Sequence, residues 1–216
     1  MLTLHDYYRS TACYRVRIAL NLKGLDYQAI PVDLIKNGGE QRTAEFKQIN
    51  PQALVPALHD SAHSITLSQS LAILEYLEEQ FPTPAILPKT IELRAQARRI
   101  ACAIACDIHP LNNLRVLQYI TNTLQQSEET KREWYHHWLK SGFDAIQNIL
   151  QIENLSGDFC IGNQVSIADL CLIPQLYNAR RFEFPLQTYS LLTDIEARCL
   201  ALSAFEKAIP ENNMIT

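Results

Sequence analysis

The chain of 216 residues has no apolar run approaching the roughly 18 residues that span a bilayer, so no membrane-crossing helix is expected. It also has no long run of Lys or Arg. With a formal net charge of −4 and a pI of about 5.9, it is poorly suited to a phosphate backbone, and nucleic acid is not expected as a partner. The opening Met1-Leu2-Thr3-Leu4-His5-Asp6 lacks the basic start and long apolar stretch of a secretion signal, which points to a cytoplasmic protein. Cysteines occur without framework spacing: Cys13, Cys102, Cys106, Cys160, Cys171 and Cys199 are scattered, five of them in apolar stretches, as expected of reduced thiols. Cys102 and Cys106 have helical spacing but no accompanying His or Cys set, so no metal is expected. Internal repeats and low-complexity segments are also missing. What remains is a composition 47% hydrophobic and 19% charged, enough for a packed core, in a length that allows one large domain or two small ones.

Leu2 to Tyr7 begins with the alternation of a strand. Val16, Ala19 and Leu20 then recur at helical spacing, with Ile18 and Leu22 on an adjoining face and Gly24 as a stop signal. Tyr27 to Val32 reads as a second strand, so the chain opens β-α-β with a crossover helix. Asp33 to Asn50 reads as irregular. Leu54 to Leu58 and Ser64 to Leu67 read as an antiparallel hairpin, and Ser68 to Gln80 as an amphipathic helix. Pro82, Pro84 and Pro88 stiffen a boundary. Beyond them, 91–108, 111–124, 131–150, 166–178 and 188–208 all read as helical, with Ser166 and Asp169 forming a capping box. The expected division is therefore an α/β domain over 1–81, a linker over 82–88 and an all-α domain over 89–216.

Three features of the first domain carry chemistry. Ser10-Thr11-Ala12-Cys13 stands where the first strand gives way to a helix, beside unpaired N–H groups and the positive end of the helix dipole, a setting that stabilises a thiolate. Val55-Pro56 places a proline within an expected strand, where a cis bond would expose the Val55 backbone to an extended peptide. Gln69-Ser70 opens a helix whose N–H and hydroxyl groups suit a carboxylate. Taken singly, each is read more economically as an ordinary cap or a trans edge proline. Together they describe a thiolate pocket, a backbone pairing edge and a carboxylate site, which suits a short thiol peptide.

This arrangement resembles the thioredoxin-like domain of glutathione transferases, and the helical remainder resembles their second domain. The stretch Tyr8-Arg9-Ser10-Thr11-Ala12-Cys13-Tyr14-Arg15-Val16-Arg17-Ile18-Ala19-Leu20 resembles the Ser-Ser-Cys-x-x-Arg-Val-Arg-Ile-Ala-Leu signature of the zeta class, the maleylacetoacetate isomerases. Lys23-Gly24, Leu34 to Gly39, Asn50-Pro51, Gln69 to Ile73, Ala168 to Leu172 with Pro174-Gln175, and Ala179 to Phe182 continue the likeness over essentially the whole chain. The resemblance implies a β-α-β-α-β-β-α first domain, an all-α second domain, a homodimer and reduced glutathione as cofactor. It implies that Ser10 and Thr11 bind the glutathione sulfur, Gln41 the glycyl end, Val55 the cysteinyl backbone, and Gln69 and Ser70 the γ-glutamyl group. His109, Asn113 and Arg115 align with further glutathione contacts, although each alone reads as a helix-end or surface polar residue. His109 to Arg115 is as similar to the bacterial maleylpyruvate isomerases.

The implied activity is cis–trans isomerisation of a dicarboxylic dioxo acid: maleylacetoacetate to fumarylacetoacetate in tyrosine and phenylalanine breakdown. The thiolate adds to the cis double bond, the new single bond rotates, and the thiolate leaves. Arg9 and Arg181 are the candidate anchors for the substrate's carboxylates. For Arg15 and Arg17 a solvated or structural role is the stronger reading. The sequence departs from the signature where the family's cysteine falls on Ala12. Cys13, one residue later and about 100° around the helix, is counted with Ser10 and Thr11 as a candidate catalytic residue, although glutathione itself can supply the nucleophile. The rivals are maleylpyruvate isomerisation, general glutathione transfer including dehalogenation, thiol–disulfide exchange at Cys13, and a binding module without activity.

Overall fold

Alternating apolar residues in Leu2–Asp6 form strand β1, with Leu2, Leu4 and Asp6 turned inward. β1 runs parallel to β2 (Tyr27–Pro31), from Leu2 opposite Tyr27 to Asp6 opposite Pro31. On its other side β1 is antiparallel to β3 (Ala57–Asp60), which forms an antiparallel hairpin with β4 (Ile65–Ser68). The sheet order is β2-β1-β3-β4. With helices α1 (Thr11–Leu22), α2 (Ala44–Ile49) and α3 (Ser70–Gln80), the element order is the expected β-α-β-α-β-β-α of a thioredoxin-like domain. The structure is a computed structural model and describes residues 1–214.

Several local expectations change. α2 occupies part of the stretch read as irregular; its signal is Thr43, whose hydroxyl accepts the Phe46 N–H at 3.2 Å as an N-cap. The third strand begins at Ala57 instead of Leu54 because Pro56 has no N–H to give a ladder, and the Val55–Pro56 bond is cis where a trans edge proline was the economical reading.

Contacts group Met1–Ile86 with the segment from Leu200 onward, and Leu87–Cys199 as a second unit. The end of the chain thus leaves the expected helical domain, whose positions 215 and 216 lie outside the described residues. Helix α9 (Ser203–Ala208) packs on α1: Asn21 Nδ2 donates to Ala204 O at 3.0 Å and Arg17 Nε to Ala208 O at 3.2 Å. The proline-rich boundary is likewise tied to the first unit. Lys23 Nζ donates to Glu78 Oε2 at 2.9 Å, Phe81 O at 2.7 Å and Pro84 O at 2.9 Å, and Glu78 accepts the Ile86 N–H at 2.9 Å.

The second unit is helical: α4 (Ile91–Cys102), α5 (Leu114–Gln118), α6 (Glu128–Ile152), α7 (Ile167–Arg181) and α8 (Ser190–Leu200). The expected 91–108 helix widens into a π segment over Ala103–Ile108, closed by His109 N–H donating to Ile104 O at 2.9 Å. Gly142 of α6 makes room for it, since any Cβ there would collide with the Ile108 side chain. The 111–124 stretch becomes α5 and a second π segment, Tyr119–Thr123, and the 188–208 stretch breaks between α8 and α9. α7 is buried along Ile167–Leu176. Its capping box is present: Asp169 accepts the Ser166 N–H and the Cys160 N–H, each at 2.8 Å. Among the described residues no helix is long and apolar enough to cross a membrane.

The first unit turns on Arg17, which is fully buried and not solvated. Its Nη1 reaches both Asp6 carboxylate oxygens, at 2.7 and 2.9 Å, and Nη2 donates to Tyr8 O at 2.9 Å. Removing one partner of such a pair strands the other in the core. Arg17→Met is expected to lower unfolding free energy by roughly 3–5 kcal/mol in urea titration. Asp6→Asn together with Arg17→Met should lose less than Arg17→Met alone. A single variant as stable as wild type would show that the pair does not hold this unit together.

Candidate functional site

The bond from Arg17 to Tyr8 O fixes the short turn Tyr7–Arg9 between β1 and α1. Ser10 N–H donates to Tyr7 O at 2.8 Å, and Ser10 then caps α1, its Oγ accepting the Cys13 N–H at 3.2 Å. Thr11 is buried at the first helical position. The Ala12 N–H has no acceptor among the described residues, so the start of α1 keeps a free donor beside the positive end of its dipole. An anionic sulfur matches that donor set.

The start of α3 departs further from ordinary capping. Gln69 stands at the cap position with φ +70° and makes no capping bond; its Nε2 instead donates to Gln52 Oε1 at 2.9 Å. The N–H groups of Ser70, Leu71 and Ala72 are left without acceptors among the described residues. Three converging donors at a helix N-terminus suit a carboxylate, and the positive φ is the backbone strain tolerated at ligand-binding turns. Arg15 Nη1 donates to Ser70 Oγ at 3.1 Å, which ties α1 to the first residue of α3. Arg15 is 1% exposed, so for it too the solvated reading gives way to the structural one.

Gln41 is turned inward, its Nε2 3.5 Å from Leu34 O and its Oε1 buried without a hydrogen-bond partner among the described residues. Gly39, at φ +103°, permits this: a Cβ there would lie 2.6 Å from the Gln41 amide. Val55 is half-buried and outside the β1–β3 ladder, which begins at Ala57. Arg9 is exposed, its guanidinium 5.0 Å from the Tyr8 ring centre.

His109, Asn113, Arg115 and Arg181 belong to the second unit. His109 ends the first π segment. Asn113 caps α5, its Oδ1 accepting the exposed Arg115's N–H at 3.1 Å. Arg181 is exposed at the end of α7, with Nη1 2.8 Å from Asn178 Oδ1, and lines an open groove of about 510 Å³ with Arg132, Phe182 and Glu183.

The expectation for Cys13 is corrected. The residue is completely buried, and desolvation, with the Asp6 carboxylate adding to it, pushes its thiol far above the ordinary range. A thiol so placed is neither an exposed low-pKa nucleophile nor a partner for thiol–disulfide exchange. Two residues that shape the site, Gln52 and Gly39, were missed, and for Arg15 the flanking Tyr14, Val16 and Ile18 were the signal that favours the structural over the solvated role. Among the described residues no group of three or more His, Cys, Asp or Glu is placed to hold a metal.

The chain is similar to known proteins over nearly its whole length. Residues 9–80 match the family described as glutathione S-transferase, N-terminal domain. The chain is 47% identical to a probable maleylacetoacetate isomerase of Vibrio cholerae, over 98% of this chain and 96% of that one. It superposes on the holo structure of a bacterial zeta-class maleylpyruvate isomerase with a TM-score of 0.93 and 41% identity, covering 98% of both chains. The maleylacetoacetate isomerase of Methylobacterium extorquens AM1, solved with bound malonate and glutathione, gives a TM-score of 0.94 at 38% identity, again over 98% of both.

The burial pattern sets an order of thiol reactivity. Brief iodoacetamide treatment of the folded protein should alkylate the exposed Cys102 and Cys106 and leave Cys13 unmodified until the chain is denatured, read by peptide mass mapping. Stoichiometric labelling of Cys13 in the native state would restore it as a candidate nucleophile.

Proposed function

The chain belongs to the zeta class of glutathione transferases, the maleylacetoacetate and maleylpyruvate isomerases, and on that footing we propose that it is a glutathione-dependent cis–trans isomerase of maleylacetoacetate. The observation that carries this reading is the pair of helix starts in the first unit: one free donor at α1 and three at α3, joined through Arg15. Reduced glutathione fits them, since it presents a sulfur anion and a γ-glutamyl carboxylate to two helix starts with open N–H donors.

When bound, glutathione supplies the nucleophilic sulfur that adds to and leaves the substrate's double bond. The chain's own part is to hold and polarise. Ser10, Thr11 and the dipole of α1 favour the ionised sulfur. Gln69, Ser70 and the first N–H groups of α3 receive the γ-glutamyl carboxylate, Val55 the cysteinyl backbone and Gln41 the glycyl end. The resemblance also assigns His109, Asn113 and Arg115 to glutathione. Arg9 and Arg181 are the proposed carboxylate anchors for substrate, because a guanidinium holds a carboxylate bidentately. Cys13 takes no part. The proposal extends to a cytoplasmic homodimer acting in tyrosine and phenylalanine breakdown.

Maleylpyruvate is the second substrate to weigh, since His109-Pro110-Leu111-Asn112-Asn113-Leu114-Arg115 is equally similar to the enzymes that isomerise it. One assay separates the readings: the ultraviolet loss of maleylacetoacetate and of maleylpyruvate, each with and without glutathione. Faster turnover of maleylacetoacetate, dependent on glutathione, is the expected result. Preference for maleylpyruvate selects the alternative, and turnover of neither removes the isomerase. Equal rates without glutathione would remove its role as cofactor.

A further inference from the structure

We propose that Arg15 is a positioning residue for glutathione binding: by donating to Ser70 Oγ it directs the Ser70 hydroxyl proton to the γ-glutamyl carboxylate. The inference rests on the reading above that the start of α3 receives that carboxylate.

A guanidinium has donors only and keeps its charge at any working pH, whereas a serine hydroxyl has one proton and two lone pairs. At the 3.1 Å Arg15–Ser70 contact the oxygen must therefore be the acceptor, and the hydroxyl proton must point elsewhere. Ser70 is 6% exposed and Arg15 1%, so bulk water does not compete for this bond. At the N-caps of α1 and α2 a hydroxyl takes an N–H of its own first turn, Ser10 from Cys13 and Thr43 from Phe46. At α3 the N-cap is Gln69, and the hydroxyl stands one residue later, at the first helical position. No side chain caps the first turn, Gln69 is turned to Gln52, and Ser70 Oγ takes its bond from Arg15. The resulting set consists of the N–H groups of Ser70, Leu71 and Ala72 with the Ser70 O–H, four donors at one helix start. Such a set favours a carboxylate over a neutral group.

The test compares two ligands by calorimetry: glutathione, and 4-aminobutyryl-cysteinylglycine, which is glutathione without its γ-glutamyl carboxylate. In Arg15→Gln the new carboxamide oxygen can take the Ser70 proton. The Kd for glutathione should rise about tenfold, the worth of one hydrogen bond to a charged group. The Kd for the decarboxylated analogue should stay at its wild-type value, and Arg15→Gln/Ser70→Ala should bind glutathione no worse than Ser70→Ala alone. An equal loss for both ligands, or none for glutathione, overturns the proposal. Wild-type protein that binds the two ligands equally would instead strike the reading beneath it, the placement of the carboxylate at α3. If Arg15→Gln does not fold, neutron diffraction from wild-type crystals with glutathione decides. A Ser70 deuteron aimed at the carboxylate supports the proposal, and one aimed at a protein carbonyl overturns it.

Discussion

A single buried ion pair determines where the chemistry of the first unit stands. Asp6 closes β1, Arg17 lies within α1, and their contact is short and wholly inside the protein. Two charges in such a place are costly unless every donor and acceptor is used. Here the remaining guanidinium donors go to Tyr8 O and Ala208 O, so one side chain ties together the end of a strand, the turn that follows it, a helix and the C-terminal segment. The position of Ser10 and of the free N–H at the start of α1 follows from that turn. A buried side chain thus sets the geometry of the residues proposed to bind glutathione.

Arg15, two residues earlier, is equally buried but bonds a hydroxyl, Ser70 Oγ. It reaches α3 where Arg17 reaches β1, so α1 is pinned at both ends of the candidate site. The two helix starts then differ in a chemically useful way. At α1, Ser10 satisfies one N–H and leaves another for a sulfur. At α3 nothing satisfies the first turn, and its strained cap residue leaves the donors open to a carboxylate. A ligand that satisfies those donors stabilises the native state by mass action.

Much of this was legible beforehand. The alternation at Leu2–Asp6, the helical spacing of Val16, Ala19 and Leu20, and the Ser166–Asp169 box marked real elements. The Ser10-Thr11, Val55-Pro56 and Gln69-Ser70 features all fell in one unit of the fold. The illegible parts have physical causes. For Arg15 and Arg17 the sequence left a solvated and a structural role open, because an arginine's solvation is usually too costly to lose and their partners Asp6 and Ser70 are distant or unpatterned in the sequence. Cys13 could be placed by helical angle but not by depth. α2 is a six-residue helix set by its Thr43 cap and not by periodicity. The return of α9 to α1 depends on contacts nearly two hundred residues apart, at Ala204 and Ala208.

The central claim is that the start of α1 holds the glutathione sulfur as an anion. Thiolates absorb in the ultraviolet where thiols do not, so a pH titration of the protein–glutathione difference spectrum reads the bound sulfur directly. The account predicts that bound glutathione ionises at a distinctly lower pH than the free tripeptide. Ionisation at the same pH as free glutathione, with the ligand demonstrably bound, would contradict it.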